Sequence, residues 1–357
     1  MTLDSLVRPN ILRLTPYTCA RNEYTGEALA WLDANENSRI DGLNRYPDPL
    51  QLEVKRRLAE IRGVTPDRIF LGVGSDECID ITYRVFCRPG IDNVVAIDPT
   101  YGMYRVCADI NDVEYRAASL NDDFTVNEEN LFNLVDENTK VLWMCSPNNP
   151  TGNALPIDDM LRIARRFQGI TVIDEAYIDF SDKGSMVKYL DTLPRLIVMQ
   201  TFSKAWASAA MRLGIAYASP EIIDIFNKVK YPYNINILTQ REALNVLDRA
   251  DKVVAVAKEL VEARDRLASQ LESLSAVKQV YASDANFLLV KVDDADALYA
   301  WLRDAGVIVR NRCRVHLCAG CLRITVGSDN ENRLLIEKIE EYDRRWHPTT
   351  ASTLYRP

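Results

Sequence analysis

Histidine is nearly missing from this chain: there are two in 357 residues, His316 and His347, both near the C-terminus. A Ser-His-Asp hydrolase would have to use one of them, and no G-x-S-x-G elbow is present. The zinc-hydrolase pattern H-E-x-x-H is absent as well. Acid–base work therefore falls to Lys, Asp, Tyr or a bound cofactor. No apolar run approaches the ~18 residues of a spanning helix. The first ten residues carry Asp4, Arg8 and Pro9, which excludes the apolar core of a signal peptide. The eight cysteines stand at irregular spacings, against a secreted disulfide framework. Basic residues are too few and too scattered for a nucleic acid or an anionic membrane: 43 Lys and Arg face 51 Asp and Glu, a net charge of −8. These absences predict a soluble protein of a reducing compartment, the cytoplasm.

What is present is ordinary globular composition, 47% apolar and 26% charged. At about 150 residues per domain the length predicts two domains, with core enough to fold without disulfides or metal. After an irregular stretch rich in Pro, Asn and Asp, Asp48-Pro49 opens a helix with Pro at its first position, and Gly63 closes it. Short apolar runs then alternate with helical patterns. The runs are Ile69–Val73, Val94–Ile97, Val141–Cys145, Ile170–Ile173, Leu196–Met199 and Ile215–Ala218. The helical stretches are Asp76–Cys87, Met103–Ile110, Asn127–Asp136 and Ile157–Phe167. Continuous apolar strands separated by helices predict a mostly parallel sheet covered on both faces, an α/β/α layer. A long helix over 248–274 follows. The pattern then changes to strand (Asn286–Val292), helix (Asp294–Ala305), two strands (Val307–Arg310, Cys321–Val326) and helix (Asn330–Arg345), a smaller α+β unit. The predicted division is 1–40 as an N-terminal arm and part of the small domain, 41–245 as the large domain, 246–346 as the small domain, and 347–357 as a loose tail.

Ligands of open α/β sheets bind beyond the carboxyl ends of the strands. There the chain places Gly74-Ser75-Asp76-Glu77, Ser146-Pro147-Asn148-Asn149-Pro150, Asp174-Glu175-Ala176-Tyr177 and Thr201-Phe202-Ser203-Lys204. Lys204 is the only charged residue between Arg195 and Arg212. A surface lysine is the plainer reading, but such a lysine has charged neighbours. A desolvated amine loses pKa and becomes a nucleophile toward carbonyls. Asp174 ends a β-branched run and reads either as a helix N-cap or as a buried carboxylate in need of a cation. Asn148-Asn149-Pro150 reads equally well as a turn. Gly72-x-Gly74 lacks the third glycine of a dinucleotide fingerprint, yet its strand-to-helix turn suits a single phosphate. Amine, carboxylate, phenol, amide and phosphate cup together specify pyridoxal 5′-phosphate.

In this order and spacing the motifs resemble the fold-type I aminotransferases of classes I and II, from about residue 8 to residue 340. Further segments narrow the resemblance: Leu14-Thr15-Pro16-Tyr17, Leu32-Asp33-Ala34-Asn35-Glu36-Asn37, Asn44-Arg45-Tyr46-Pro47, Pro99-Thr100-Tyr101-Gly102-Met103-Tyr104 and Cys321-Leu322-Arg323-Ile324-Thr325-Val326-Gly327. They are similar to the histidinol-phosphate aminotransferase family. That family interconverts histidinol phosphate and 2-oxoglutarate with imidazole-acetol phosphate and glutamate, in histidine biosynthesis.

The resemblance implies that Lys204 carries the cofactor covalently and moves the substrate proton. It implies that Asp174 pairs with the ring nitrogen, that Asn149 and Tyr177 contact the 3′ oxygen, and that Tyr101 stacks on the ring. Ser75, Asp76, Thr201, Ser203 and Arg212 would hold the phosphate. Tyr46 would reach the phosphate in a partner subunit, which makes a homodimer the active unit. Tyr17, Asn149, Arg310 and Arg323 would bind substrate. One departure is Ala205-Trp206-Ala207-Ser208-Ala209-Ala210-Met211 before Arg212, where relatives carry glycines. Threonine-phosphate decarboxylases and broad aromatic aminotransferases share fold and cofactor and stand as alternatives. Cys313, His316, Cys318 and Cys321 have zinc-like spacing, but their place before the Arg323 strand favours packed thiols and no metal.

Overall fold

A computed structural model describes residues 2–19, 24, 26 and 28–346. The tail from His347, read above as loose, lies outside the described residues. Eleven strands are described: β1 (Ile69–Val73), β2 (Asn93–Asp98), β3 (Glu114–Ser119), β4 (Thr139–Cys145), β5 (Ile170–Asp174), β6 (Leu196–Thr201), β7 (Leu213–Tyr217), β8 (Val277–Val280), β9 (Phe287–Val292), β10 (Arg310–Asn311) and β11 (Cys321–Thr325). The helices are α1 (Leu3–Leu6), α2 (Pro9–Leu12), α3 (Leu52–Arg62), α4 (Gly74–Phe86), α5 (Met103–Ile110), α6 (Glu128–Asn133), α7 (Ile157–Arg166), α8 (Pro220–Val229), α9 (Ile237–Leu247), α10 (Ala250–Glu272), α11 (Ala295–Asp304) and α12 (Asp329–Trp346).

The first seven strands form one sheet in the order β1-β7-β6-β5-β4-β2-β3. Pairing is parallel from β3 through β6, and β7 runs antiparallel to both β6 and β1. Its central strands are apolar along their whole length because both faces are covered. On one face Phe70, Val94, Trp143 and Val172 meet Tyr83, Phe86, Tyr104 and Phe226 from α4, α5 and α8, and α1 and α2 join this layer through Leu6 and Ile11. On the other, Leu71, Val95, Leu142 and Ile173 meet Leu58, Leu161 and Ala243 from α3, α7 and α9. The second sheet has the order β10-β11-β9-β8. One of its faces packs on α10, α11 and α12 through Leu271, Leu302 and Ile339. Its other face carries Phe287, Leu289 and Cys321 into the same apolar cluster as the large sheet. The small sheet is thereby seated against the large one.

The helix after Asp48-Pro49 starts later than the Pro signal predicts, at Leu52, with Gln51 in the left-handed region at φ 51°. The Asp48 carboxylate accepts the N–H groups of Leu50 and Leu52 at 2.8 and 2.6 Å, and Gln51 donates back to the Pro49 carbonyl at 2.8 Å. These side chains fix 48–51 as a turn in competition with the helix. The strand predicted over Val307–Arg310 shrinks to Arg310–Asn311, because Val307 turns its N–H to the carbonyl of Leu302 and finishes α11 instead. Strands β3 and β8 sit at sheet edges, where half-exposed polar sequence hides the strand pattern.

One close approach holds β1, β7 and α4 together. A Cβ on Gly214 would lie 2.2 Å from the Ser75 nitrogen and 2.3 Å from the Gly74 carbonyl carbon. Both are backbone atoms and neither can step aside. Gly214→Ala is expected to lower stability by about 1–3 kcal/mol or more. Gly102, with ordinary φ and nothing within 4 Å of a built Cβ, should accept alanine without loss. Urea denaturation midpoints of the two variants check this; equal midpoints would refute the close-approach argument.

Candidate active site

The ends of β1, β2, β4, β5 and β6 deliver different kinds of group to a common cavity of about 660 Å³. That volume is within the range of small-molecule sites. Strand β1 runs directly into α4, so Ser75 and Asp76 stand on the first helical turn with unpaired backbone N–H groups. Arg212 closes the same corner. Its carbonyl accepts the Gly74 N–H at 2.8 Å, and its guanidinium lies 3.2 Å from the Asp76 carboxylate and 3.5 Å from the Ser203 hydroxyl. A helix N-terminus with a guanidinium across it is built for an anion.

Asn148 and Asn149 follow β4 and divide the labour. Asn148 is fully buried and tethers two loops, donating to the Pro99 carbonyl and accepting from Thr100 at 2.9 Å each. Asn149 faces the cavity, donates to the Tyr177 hydroxyl at 3.2 Å and accepts from Arg323 at 2.5 Å. Tyr101 forms part of the wall with its hydroxyl 3.4 Å from Asp76. Burial, with Asp76 beside it, pushes the Tyr101 phenol up to about 12.

Asp174 ends β5 at the cavity floor and is 2% exposed. Burial drives its carboxyl pKa upward, and the hydrogen bonds from Tyr104 (2.6 Å) and the Ala176 N–H (3.0 Å) pull it back. Among the described residues it makes no ion pair. Behind it Glu175 is also buried, bound by Ser185 and the Met186 N–H at 2.6 Å each and by Gln200 at 2.9 Å. Burial lifts the Glu175 pKa to about 7.

Lys204 follows β6 and reaches into the cavity with its amine 5.5 Å from the centre of the Tyr177 ring. It is open to the cavity yet surrounded by protein. Desolvation first, and the positive charge of Arg323 second, lower its pKa, while Asp174 opposes them. The alanine-rich loop that replaces glycines closes on Lys204 by placing an alanine in the left-handed region: Ala207 adopts φ 50° and donates to the Lys204 carbonyl at 2.9 Å.

The remaining wall comes from the small sheet. Arg310 and Arg323 are direct partners in the β10–β11 ladder. Arg312, two residues on, lines the cavity with them, while Asn311 between them turns away to Asp296 at 2.6 Å. Among the described residues no carboxylate lies within ion-pair distance of these three. The Nε atoms of Arg312 and Arg323 are buried without a partner. Burial and the neighbouring Arg312 lower the Arg323 pKa. Three like charges held together unpaired are the imprint of an anionic ligand.

Of the residues expected to form the site, Ser75, Asp76, Tyr101, Asn149, Asp174, Tyr177, Thr201, Ser203, Lys204, Arg212, Arg310 and Arg323 line this one cavity. Tyr17 and Tyr46 do not. Tyr17 is 73% exposed, and Tyr46 stacks on Tyr233 with centroids 4.4 Å apart, beside a separate surface depression. Sequence reasoning missed Arg312 and Tyr104. Alternation along Arg310-Asn311-Arg312 could have found the first; nothing local marks the second. His316 bonds to the Ser119 hydroxyl at 2.8 Å, and Cys318 and Cys321 are buried in the apolar cluster. Burial raises the Cys318 thiol pKa to about 12 and that of Cys321 to about 11.

Pyridoxal 5′-phosphate fits this arrangement. A buried carboxylate without a cation suits a protonated ring nitrogen, and the Arg212 corner suits a phosphate. The model for aminotransferase class I and II matches residues 19–339. A histidinol-phosphate aminotransferase from Bacteroides fragilis is 51% identical over 342 residues, 96% of this chain and 99% of the relative. The crystal structure of the histidinol-phosphate aminotransferase from Clostridium acetobutylicum superposes with a TM-score of 0.78 at 20% identity, covering 85% of this chain and 92% of that one. The Sinorhizobium meliloti enzyme of the same name, solved with pyridoxal-5′-phosphate, gives 0.76 at 24% identity over 84% of each chain. Sequence and fold agree on one placement: the chain belongs to the aminotransferases of class I and II and, within them, to the histidinol-phosphate aminotransferase family.

Proposed function

We propose that this protein interconverts histidinol phosphate and 2-oxoglutarate with imidazole-acetol phosphate and glutamate, as a pyridoxal-phosphate-dependent transaminase of histidine biosynthesis. The observation that carries the reading is the pairing of a desolvated Lys204 amine and a buried, uncompensated Asp174 carboxylate in one cavity, under a wall of unpaired arginines. The cofactor, when bound, supplies an aldehyde carbon to hold the amino group and a protonated ring to draw electrons.

This chain's residues do the rest. The α4 N-terminus, Arg212, Ser203 and Thr201 would hold the phosphate, and Asp174 the ring nitrogen. Asn149 and Tyr177 would hold the 3′ oxygen, with Tyr101 against the ring. Lys204, its pKa lowered by desolvation and by the charge of Arg323, gives up a proton more readily than a surface lysine and would move it at the substrate carbon. Arg323 accommodates both substrates because its planar fork binds carboxylate and phosphate alike. Arg310 adds a second charge suited to the phosphate. We read residues 41–245 as the cofactor domain and 246–346 as the domain that brings Arg323. Tyr46, half-exposed outside this cavity, would serve the cofactor phosphate of a second copy in a homodimer. A cytoplasmic location accords with a chain whose described helices are none of them long and apolar enough to cross a membrane. The threonine-phosphate decarboxylase reading is not favoured, since the relative at half identity carries the aminotransferase name.

The deciding experiment mixes cofactor-loaded protein with histidinol phosphate alone and follows the cofactor's absorbance through the half-reaction. Conversion to the amine form, reversed by 2-oxoglutarate, is expected. Efficient turnover of phenylalanine or aspartate with histidinol phosphate untouched would rule the assignment out.

Borohydride reduction followed by peptide mapping should place the pyridoxyl adduct on Lys204. Lys204→Ala should still bind the cofactor through phosphate and ring contacts but lose turnover by many orders of magnitude. An adduct on Lys228 or Lys230 would overturn the site.

Arg323→Ala should raise KM for glutamate and histidinol phosphate alike, by roughly 30- to 150-fold for one charged hydrogen-bonding partner. Arg310→Ala should raise KM for the phosphate substrate more than for glutamate. Steady-state kinetics with each substrate varied in turn measures both; unchanged KM values in Arg323→Ala would remove it from the site.

A further inference from the structure

Behind Asp174 lies a column of aromatic rings that the reading above does not use. Trp143 of β4 sits in its middle. Tyr83 of α4 stacks with it at 5.5 Å between centroids and 22° between planes, and Tyr104 of α5 at 4.8 Å and 17°. All three rings are 0% exposed. The Tyr83 hydroxyl donates to the Tyr104 backbone carbonyl at 2.7 Å, so the two tyrosines that stack with the indole are also tied to each other. Tyr101 meets Tyr104 edge-on at 5.7 Å. The column ends in one polar atom aimed at the site: the Tyr104 hydroxyl, 2.6 Å from Asp174 Oδ2.

We propose that Tyr104 is a positioning residue for the reaction, holding Asp174 ionised and correctly turned so that the proton of the Asp174–ring pair stays on the cofactor nitrogen. This rests on the reading of Asp174 as the partner of that nitrogen. The argument is one of competing acceptors. A buried carboxylate and a buried pyridine nitrogen share one proton. Whichever form of the pair is better solvated by fixed dipoles prevails. Each Asp174 oxygen has one donor, Tyr104 on Oδ2 and the Ala176 N–H on Oδ1. Two donors favour carboxylate with pyridinium over carboxylic acid with neutral pyridine. Tyr104 cannot reverse the bond by losing its own proton, because burial and the adjacent Asp174 hold its pKa far above the usual phenol value. Nor can its hydroxyl swing away. The ring is clamped between Trp143 and Tyr101, and its backbone is held by Tyr83. The column thus converts core packing into a fixed dipole at the electron-accepting end of the site.

The test is Tyr104→Phe, which keeps the ring and removes only the hydroxyl. Wild type and variant would be loaded with pyridoxal 5′-phosphate labelled with ¹⁵N in the ring. The nitrogen chemical shift is expected at the pyridinium position in wild type and displaced toward neutral pyridine in the variant. The kcat should fall roughly 10- to 100-fold, the scale of one hydrogen bond to a charged group, with KM for both substrates within about threefold. In the Asp174→Asn background, where no carboxylate remains to be held, Tyr104→Phe should change kcat less than twofold. A variant with the wild-type nitrogen shift and near-normal kcat overturns the proposal, as does a loss of equal size in the Asp174→Asn background. A neutral nitrogen already in wild type would overturn the Asp174 reading and this inference with it, which keeps the two failures apart. Should Tyr104→Phe not fold, Trp143→Phe loosens the clamp without touching the hydroxyl, and a partial displacement of the same shift is expected. An unmoved shift there counts against the column.

Discussion

The structure turns on one buried charge. An isolated carboxylate at the end of a covered parallel strand is among the least favourable things a fold can contain, since it has lost water without gaining a counter-ion. Asp174 is tolerated because two hydrogen-bond donors are aimed at it from residues that have nowhere else to go. Much of the large sheet can be read as the apparatus that keeps those donors in place. The stacked rings fix one, and the turn after β5 fixes the other. Glu175, one residue on, ties the end of β5 to Gln200 on β6, just before Thr201 and Lys204. The carboxylate therefore stands at the end of one strand and the amine three residues past the end of its neighbour, the two strands being paired in parallel register.

The same economy governs the anion-binding corner. Backbone N–H groups of α4 are available because the helix begins at Gly74, the residue directly after β1, with no loop between, and Gly214 lets β7 approach them closely. The turn that positions Arg212 is made by Arg212 itself, which takes a left-handed conformation at φ 54°. Side-chain function and backbone geometry coincide in one residue.

Much of this was legible in the sequence. The apolar runs marked the central strands to within a residue or two, because strands covered on both faces must be apolar throughout. The strand ends disclosed Lys204, Asp174 and Asn149, because charged and amide groups stand out where the surrounding pattern is apolar. Edge strands β3 and β8 were invisible for the opposite reason: half exposed, they carry charges that break the pattern. The helix start at Leu52 was misplaced because the Asp48 side chain outcompetes the Pro49 signal, a local contest that composition does not reveal. Helices α8 and α9 went unread although Ser219-Pro220 opens α8 with the usual start signal. Tyr104 lies within Pro99-Thr100-Tyr101-Gly102-Met103-Tyr104, a segment in which nothing local sets it apart. Its role depends on a contact across 70 residues, and no periodicity reports such a distance.

The three unpaired arginines on the small-sheet wall have a consequence for how ligands arrive. The chain as a whole carries a formal charge of −8, so an approaching phosphate or dicarboxylate is repelled by the distant field and attracted only inside the cavity. The two forces are screened unequally. At physiological ionic strength the Debye length is about 8 Å, which extinguishes most of the outer repulsion, while the attraction in the partly dry interior persists. The entry path therefore combines a weak, screened repulsion outside with a more persistent attraction beside the arginines. Such a profile favours long residence over fast encounter, and moderate salt eases entry more than it weakens retention.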